Sequence, residues 1–265
     1  MSDILAGKVA LVTGGAGDVG RMIVERMVGE GASVLATDFD IAKLDAIWSG
    51  SAKVATIAHD VTSEAGWTAA VELALSRFGK LDILVNCAGM TPVSLIENAT
   101  LDDWNRVFAV NTTGPFLGIR TALPALKAAA ASNPAGAAIV NIASAQGMIA
   151  GQPGLSSYAA SKGALRLLSR TAAVEFGRLG YNVRCNAVVP SAIGGSALMN
   201  SQLSTQVDRG VFESFDQAMK TITGAFPLGR TASPGDVAEA VVFLASDRAG
   251  SITGIDLPVD AGRLA

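Results

Sequence analysis

The sequence of 265 residues predicts a single α/β domain built on a doubly wound parallel sheet, with helices on both faces. Short segments rich in β-branched residues alternate with longer helical patterns, and this alternation is typical of parallel strands joined by right-handed crossovers. Half of the residues are hydrophobic and 16% are charged, which is enough for a large core. No linker or low-complexity segment divides the chain, so we expect one domain over residues 1–265.

Composition narrows the classes of partner. The net charge is −3 and no Lys/Arg cluster occurs, so nucleic acid is not an expected partner. No apolar segment reaches the roughly 18 residues that a membrane span needs, and no basic segment precedes an apolar one at the N-terminus. Cys87 and Cys185 are the only cysteines, so we expect reduced thiols and a cytoplasmic protein.

The first elements predict a dinucleotide site. A buried strand at 8–13 runs into a glycine-rich loop at 13–20, a helix follows, and a second strand at 33–37 ends at Asp38. Glycines in such a loop let the backbone approach a pyrophosphate, and the helix N-terminus supplies N–H groups to it. The candidate cofactor-binding residues here are Gly14, Gly17, Asp18 and Val19.

Asp38 has two interpretations, a solvated turn residue or a carboxylate that binds the adenosine ribose hydroxyls. A carboxylate there would repel a 2′-phosphate. Phe39 stands where an arginine would help to hold that phosphate. These two residues favour NAD over NADP.

The next elements are a helix at 41–48 and a third strand at 54–58, followed by the only histidine, His59. Without a second histidine or a cysteine cluster, we expect no metal site and no Ser–His–Asp triad. Thr62 or Ser63 caps the following helix.

A fourth strand is predicted at 82–86, and Thr100 caps the long helix after it. This helix carries Asn111 in its interior, close to Pro115. Asparagine is a mediocre helix former, so Asn111 has either a functional purpose or a place in a capped kink.

A fifth strand at 137–143 ends beside Ser144, and a loop follows at 145–156. The helix after this loop runs to about residue 179 and carries Tyr158 and Lys162. Residues four apart share one face of a helix, and a nearby ammonium lowers the pKa of a phenol. The pair therefore suggests a tyrosine tuned for proton transfer. Alone it is weak evidence, because such pairs also occur on solvated helix faces.

The C-terminal third begins with a sixth strand at 183–188. Residues 190–226, here called the flap, mix polar residues with Met and Phe and predict a mobile, partly helical segment. Pro234 opens a last helix behind the cap Ser233, and the final strand lies at 255–259.

Residues 8–262 resemble the short-chain dehydrogenase/reductase family. The resemblance implies a Rossmann-like sheet of about seven strands in the order 3-2-1-4-5-6-7. It rests on the 13–20 loop, Asp38, Asp60-Val61, Asn86-Cys87-Ala88-Gly89, Asn111, Ser144, Tyr158-x-x-x-Lys162, Pro190, Gly229-Arg230 and Leu257-Pro258-Val259-Asp260.

The resemblance implies a catalytic tetrad. Tyr158 would be the general acid/base, and Ser144 would hydrogen-bond the reacting oxygen. Lys162 would bind the nicotinamide ribose and lower the pKa of Tyr158. Asn111 would anchor, through water, a proton relay behind Lys162.

The resemblance also implies the rest of the cofactor site. Asp60 and Val61 would bracket the adenine, and Pro190 and Ile193 would contact the nicotinamide. The backbone along the adenosine ribose would come from Asn86, Ala88 and Gly89.

The chain departs from the family pattern at four places. Asp18 replaces a loop glycine, so we expect its backbone rather than its carboxylate to face the cofactor. Cys87 replaces an asparagine. Positions 144 and 158 are 14 apart, one residue more than is usual, which would reshape the substrate pocket. Ser196 stands near the position of a threonine that contacts the carboxamide.

The resemblance implies an NAD-dependent alcohol dehydrogenase that interconverts a secondary alcohol and a ketone. The alternatives are a 3-oxoacyl-thioester reductase, which usually needs NADPH, and a non-catalytic dinucleotide-binding sensor. Segments 90–95 and 144–152 and the flap would line an apolar pocket for an uncharged substrate, although their Met and Phe residues could equally be core. A homotetramer built on the helix of Tyr158 and on the last helix and strand is expected.

Overall fold

The computed structural model describes residues 3–149, 153–208, 210 and 212–265. Its sheet has seven parallel strands in the order β3-β2-β1-β4-β5-β6-β7, which confirms the predicted fold class. The strands are β1 Val9–Thr13, β2 Ser33–Asp38, β3 Val54–Ala58, β4 Ile83–Asn86, β5 Ala137–Ile142, β6 Val183–Pro190 and β7 Asp256–Val259.

Helices cover both faces of the sheet. One hydrophobic core lies under α1, α2 and α9, and a second core lies under α3, α5 and α6. The helices are α1 Asp18–Gly29, α2 Ile41–Trp48, α3 Glu64–Phe78, α4 Leu101–Phe108, α5 Gly114–Ala130, α6 Ser156–Arg178, α7 Ala197–Asp208, α8 Phe215–Gly224 and α9 Pro234–Ala245.

The central strand β1 shows why the sheet is buried on both sides. Successive side chains of a strand point to opposite faces. Ala10 and Val12 accordingly pack into the first core, whereas Val9 and Leu11 pack into the second. Because all strands are parallel, their carboxyl ends meet at one edge of the sheet, and the candidate site residues lie at this edge.

Side-chain caps set the helix starts much as the sequence predicts. Ser63, and not Thr62, caps α3 by accepting from the Gly66 N–H. The Thr62 hydroxyl instead donates to Asp60. Thr100 caps α4, and Ser233 caps α9 in a capping box with Asp236.

The structure corrects the prediction after Thr100. The single long helix expected there is interrupted by a π-helical turn, Ala109–Thr113, which separates α4 from α5 and contains Asn111. The described part of the flap contains α7 and α8, in agreement with the predicted partly helical segment. Ala150, Gly151 and Gln152, predicted to line the substrate pocket, lie outside the described residues.

Candidate active site

A cavity of about 820 Å³ opens at the carboxyl ends of the strands. It brings together most of the residues predicted from the sequence. Those that line it are Gly14, Gly17, Asp18, Val19, Asp38, Phe39, Asp60, Val61, Ala88, Gly89, Ser144, Tyr158, Lys162, Pro190 and Ile193.

Two of the predicted site residues lie behind the cavity wall and do not line it. Asn86 is buried, and its amide donates to the side-chain oxygen of Asn141 at 2.7 Å, which joins β4 to β5. Its side chain therefore supports the sheet and does not face a ligand. Asn111 is also fully buried and lies behind the tyrosine helix.

The glycine loop is packed too tightly for side chains. A Cβ on Gly20 would lie 2.0 Å from the carbonyl oxygen of Gly14, and a Cβ on Gly14 would lie 3.0 Å from the backbone of Ala88. Gly14 also has φ +72°, a conformation that favours glycine. The hydroxyl of Thr13 accepts from the Cys87 and Ala88 N–H groups and so joins the loop to the end of β4.

Asp38 ends β2 beside this loop and is held by backbone donors. One carboxylate oxygen accepts from the Ala16 N–H at 3.0 Å, and the other accepts from the Asp40 N–H at 3.1 Å. An ionised carboxylate has about four acceptor positions, so each oxygen retains capacity for a further donor. Phe39 follows with 83% of its surface exposed, at the rim of the cavity.

The carboxylate of Asp18 is directed toward the flap. One of its oxygens accepts a hydrogen bond from the N–H of Ala197 at 2.7 Å, and Ala197 is the first residue of α7. The hydroxyl of Ser196 donates to the Ile193 carbonyl and accepts from the Met199 N–H, so it binds backbone groups of the flap.

His59 and Asp60 form the wall beyond β3. The Nδ1 atom of His59 lies 3.0 Å from the Thr37 hydroxyl, and the ring packs edge-on against Trp67 at 4.5 Å. Burial lowers the pKa of His59 from its ordinary value of 6.5 to about 4. Hydrogen bonds from the backbone and hydroxyl of Thr62 lower the pKa of Asp60.

Lys162 is a buried residue that lines the cavity. Its Nζ donates to the Ile142 carbonyl at 2.8 Å and lies 5.8 Å from the centroid of the Tyr158 ring. Burial lowers the pKa of Lys162 from 10.5 to about 8. A Cβ on Gly89 would lie 3.4 Å from this Nζ, so the absence of a side chain there leaves room for the ammonium.

Tyr158 is half-buried, and its phenol faces the hydroxyls of Ser144 and Thr91. Burial raises the pKa of Tyr158 and outweighs the two hydroxyls, which lower it. The expectation that Lys162 would lower this pKa is therefore wrong for this structure. At 5.8 Å from the ring, the ammonium is not among the groups that shift the phenol.

The side chain of Asn111 makes three hydrogen bonds. It accepts from the Met90 N–H and donates to the Met90 carbonyl, both at 2.9 Å, and it donates to the Ser161 hydroxyl at 3.0 Å. It thereby joins the π-helical turn to α6, one residue before Lys162.

The cavity wall also contains apolar side chains, and a cation that the sequence prediction missed. Ile149, Leu155, Met199 and Phe226 line the cavity, together with Arg263. Thr91 was predicted only as part of the 90–95 segment. Arg263 follows β7 by four positions, and no motif in the sequence pointed to it.

In the part of the chain that the structure describes, no helix is long and apolar enough to cross a membrane. Nor does that part contain a cluster of three or more His, Cys, Asp or Glu residues able to hold a metal ion.

Comparison with known proteins identifies the family. The family model described as enoyl-(acyl carrier protein) reductase matches residues 14–263. A solved structure described as a short-chain dehydrogenase/reductase, from Burkholderia xenovorans, is 32% identical with a TM-score of 0.87, and the match covers 98% of this chain and 97% of that chain. The chain belongs to the short-chain dehydrogenase/reductase family.

Two further members of the family are similar over nearly their whole length. The 2,5-dichloro-2,5-cyclohexadiene-1,4-diol dehydrogenase of Sphingobium indicum is 38% identical over 99% of this chain and 98% of its own. The 3-ketoacyl-(acyl-carrier-protein) reductase of Brucella melitensis, solved with NADH, is 32% identical with a TM-score of 0.84, over 98% of this chain and 100% of that chain.

The geometry fits the nicotinamide dinucleotide on which this family depends. Gly14, Gly17 and Gly20 line the cavity at the start of α1, where a pyrophosphate would bind. Asp38 has free acceptor capacity beside it. In the same cavity, Ser144, Tyr158 and Lys162 present two hydroxyls and an ammonium.

Proposed function

We propose that this dehydrogenase interconverts a secondary alcohol and a ketone with NAD(H). The observation that carries the proposal is the convergence of the Ser144 and Tyr158 hydroxyls and the Lys162 ammonium in the same cavity that the glycine loop lines. When bound, the cofactor supplies or accepts the hydride.

The cofactor would be held from end to end of this cavity. Its pyrophosphate would lie on the glycine loop and the N-terminus of α1, with its adenosine ribose at Asp38. Phe39, Asp60, Val61, Ala88 and Gly89 would contact the adenosine half. Pro190, Ile193 and Lys162 would contact the nicotinamide half.

Tyr158 would exchange the proton of the reacting oxygen. In alcohol oxidation, the phenolate form of Tyr158 takes the hydroxyl proton as the carbonyl forms, and in ketone reduction the phenol returns it. The Ser144 hydroxyl donates to the same oxygen and stabilises its developing charge. The raised pKa of Tyr158 favours the protonated form, so alkaline conditions would favour oxidation.

Lys162 and Asn111 support this proton exchange. The ammonium of Lys162 would bind the ribose hydroxyls of the cofactor. Asn111 holds the start of α6 through Ser161. We also propose that it belongs to the proton relay behind Lys162.

The preference for NAD is supported by charge. The carboxylate of Asp38 is fixed by two backbone N–H groups, so it cannot turn away from a 2′-phosphate without losing both hydrogen bonds. Phe39 supplies no positive charge for such a phosphate.

The substrate we propose is an uncharged alcohol or ketone, because apolar side chains such as Ile149, Leu155 and Met199 line the cavity. We further propose a cytoplasmic homotetramer of single-domain subunits, each with a substrate flap at about 190–226.

A second candidate function is reduction of a 3-oxoacyl thioester, which the similarity to the Brucella enzyme favours. Against it, the flap has only two basic residues, Arg209 and Lys220, with which to bind an acidic carrier. A non-catalytic sensor role has less support, since the tyrosine, lysine and serine are all present.

A panel of neutral secondary alcohols with NAD, followed by NADH absorbance, tests the proposal. Parallel assays use a 3-oxoacyl thioester with NADPH and with NADH. We expect oxidation of at least one alcohol, with NAD preferred. Turnover of the thioester alone would support the second candidate. NADH binding without any turnover would support the sensor.

A further inference from the structure

The contact between Asp18 and Ala197 connects two parts of the molecule that are far apart in sequence. Asp18 is the first residue of α1, and Ala197 is the first residue of α7 in the flap. The carboxylate of Asp18 accepts from the Ala197 N–H at 2.7 Å. It therefore stands at the N-terminal ends of two helices, where negative charge is stabilised.

The first N–H groups of a helix have no intrahelical partner and need an acceptor from elsewhere. At the start of α7, Ser196 supplies one acceptor, to the Met199 N–H. Asp18 supplies another, from a different part of the fold. A glycine at position 18, as the family pattern has, would leave the Ala197 N–H to water.

The flap depends on such contacts because its apolar residues form a cluster of their own. Met199 and Leu203 of α7 pack with Ala218 of α8, and this cluster is separate from the two main cores. A backbone bridge between Ile193 and Ala232 joins the start of the flap to the rest of the fold. The Asp18 contact adds a side-chain connection, four residues beyond Ile193.

We propose that Asp18 is a positioning residue that fastens the flap to the glycine loop and so sets the apolar wall of the substrate pocket. Met199 and Leu203 line the cavity and lie on the first two turns of α7. When the N-terminus of α7 is held, these two side chains are held over the cavity. The consequence for substrate binding rests on the proposed function.

The contact also accounts for a carboxylate in a phosphate-binding loop. The Ala197 N–H and the N-terminus of α7 draw the side chain of Asp18 toward the flap. Its backbone then stays at the start of α1, where a pyrophosphate would bind.

Matched variants can remove either side of the contact. Asp18→Ala removes the acceptor, and Asp18→Asn keeps an acceptor oxygen without the charge. Ala197→Pro removes the donor at the first position of a helix, where proline is well tolerated. Asp102→Ala is the control, since Asp102 is an exposed acid in the first turn of α4, outside the flap.

The test is trypsin cleavage after Lys220, an exposed residue of the flap, in the cofactor-free protein. We expect Asp18→Ala and Ala197→Pro each to speed cleavage about fivefold, the effect of losing a carboxylate at a helix N-terminus. The double variant should be no faster than either single variant. Asp18→Asn should recover part of the protection, and Asp102→Ala should behave as wild type.

The proposal would be overturned if Asp18→Ala were cleaved at the wild-type rate. It would also be overturned if the effects of the two single substitutions on the cleavage rate multiplied in the double variant. An equal effect of Asp102→Ala would overturn it as well. The kinetic measurement is the KM for the alcohol, which should rise about fivefold in Asp18→Ala with a smaller change in kcat. If the wild type oxidises no alcohol, the proposed function fails, and the cleavage measurement still decides the role of Asp18.

Discussion

The Nζ atom of Lys162 donates a hydrogen bond to the carbonyl oxygen of Ile142, the last residue of β5, at 2.8 Å. Ser144 follows Ile142 by two positions, so one strand end holds the lysine and supplies the serine. The orientation of Lys162 is thus determined by the sheet, while Tyr158, one helical turn earlier, faces Ser144 and Thr91. Because the two side chains have different hydrogen-bond partners, Lys162 lies in the site without shifting the pKa of Tyr158.

Replacing Tyr158 with Phe should lower kcat at least about 100-fold, because general acid–base catalysis is typically worth that much. NADH should still bind, since the glycine loop and Asp38 are unchanged. Steady-state kinetics and a fluorescence titration with NADH check the two parts. Turnover above about a tenth of the wild-type rate would show that another group exchanges the proton.

Replacing Asp38 with Ser should reduce the preference for NAD over NADP by about tenfold or more, through loss of the charge that repels a 2′-phosphate. The change also removes acceptors for the Ala16 and Asp40 N–H groups, so some loss with NAD itself is expected. The ratio of kcat/KM values for the two cofactors is the measurement. A wild-type enzyme that already uses both cofactors equally would contradict the charge argument.

Gly20→Ala should disrupt the glycine loop, because the new methyl group would meet the Gly14 carbonyl oxygen at 2.0 Å. We expect a loss of about 1–3 kcal/mol in the free energy of unfolding and weaker NADH binding. Gly29→Ala, at the other end of α1, is the matched control, since its methyl group would meet nothing within 4 Å. Urea unfolding and NADH titration should show no loss in the control; equal losses in both variants would refute the steric explanation.

His59 should make the protein less stable in acid. Its pKa is lowered from 6.5 to about 4 in the folded state, so the unfolded chain takes up the proton first as the pH falls. The stability linked to His59 is therefore full above pH 6.5 and is lost toward about pH 4. We expect a loss of about 2 kcal/mol at about pH 5 that His59→Gln does not show.

A direct titration complements the unfolding measurements, because His59 is the only histidine in the chain. In an NMR titration, the imidazole resonance should keep the chemical shift of the neutral ring well below pH 6.5. An ordinary titration midpoint near 6.5 would show that the ring is solvated in the folded protein.

The uncharged-substrate proposal can be tested at Arg263. Two substrates are compared, a neutral cyclic alcohol and an analogue that carries a carboxylate on the side of the ring away from the hydroxyl. The proposal predicts that kcat/KM for the neutral alcohol is at least as high as kcat/KM for the analogue. Arg263, a cation that lines the cavity, is the group that could reverse this order. A carboxylate preference of about tenfold that disappears in Arg263→Met would show that the substrate is anionic.

The sequence alone determined the alternation of strands and helices and the position of most site residues. Glycine spacing, strand patterning and helix caps are local properties, so β1 to β7 appear within one or two residues of their predicted bounds. The placement of Asp38, Ser144 and Lys162 at one edge of the sheet follows from parallel strands.

Only the tertiary structure decided what depends on contacts between distant segments. Burial raises the pKa of Tyr158, although the local Tyr–Lys spacing suggested a lower value. Asn86 supports the sheet because Asn141 lies on the neighbouring strand. The carboxylate of Asp18 finds its donor 179 positions away in the flap, a distance at which no sequence pattern could pair it with Ala197.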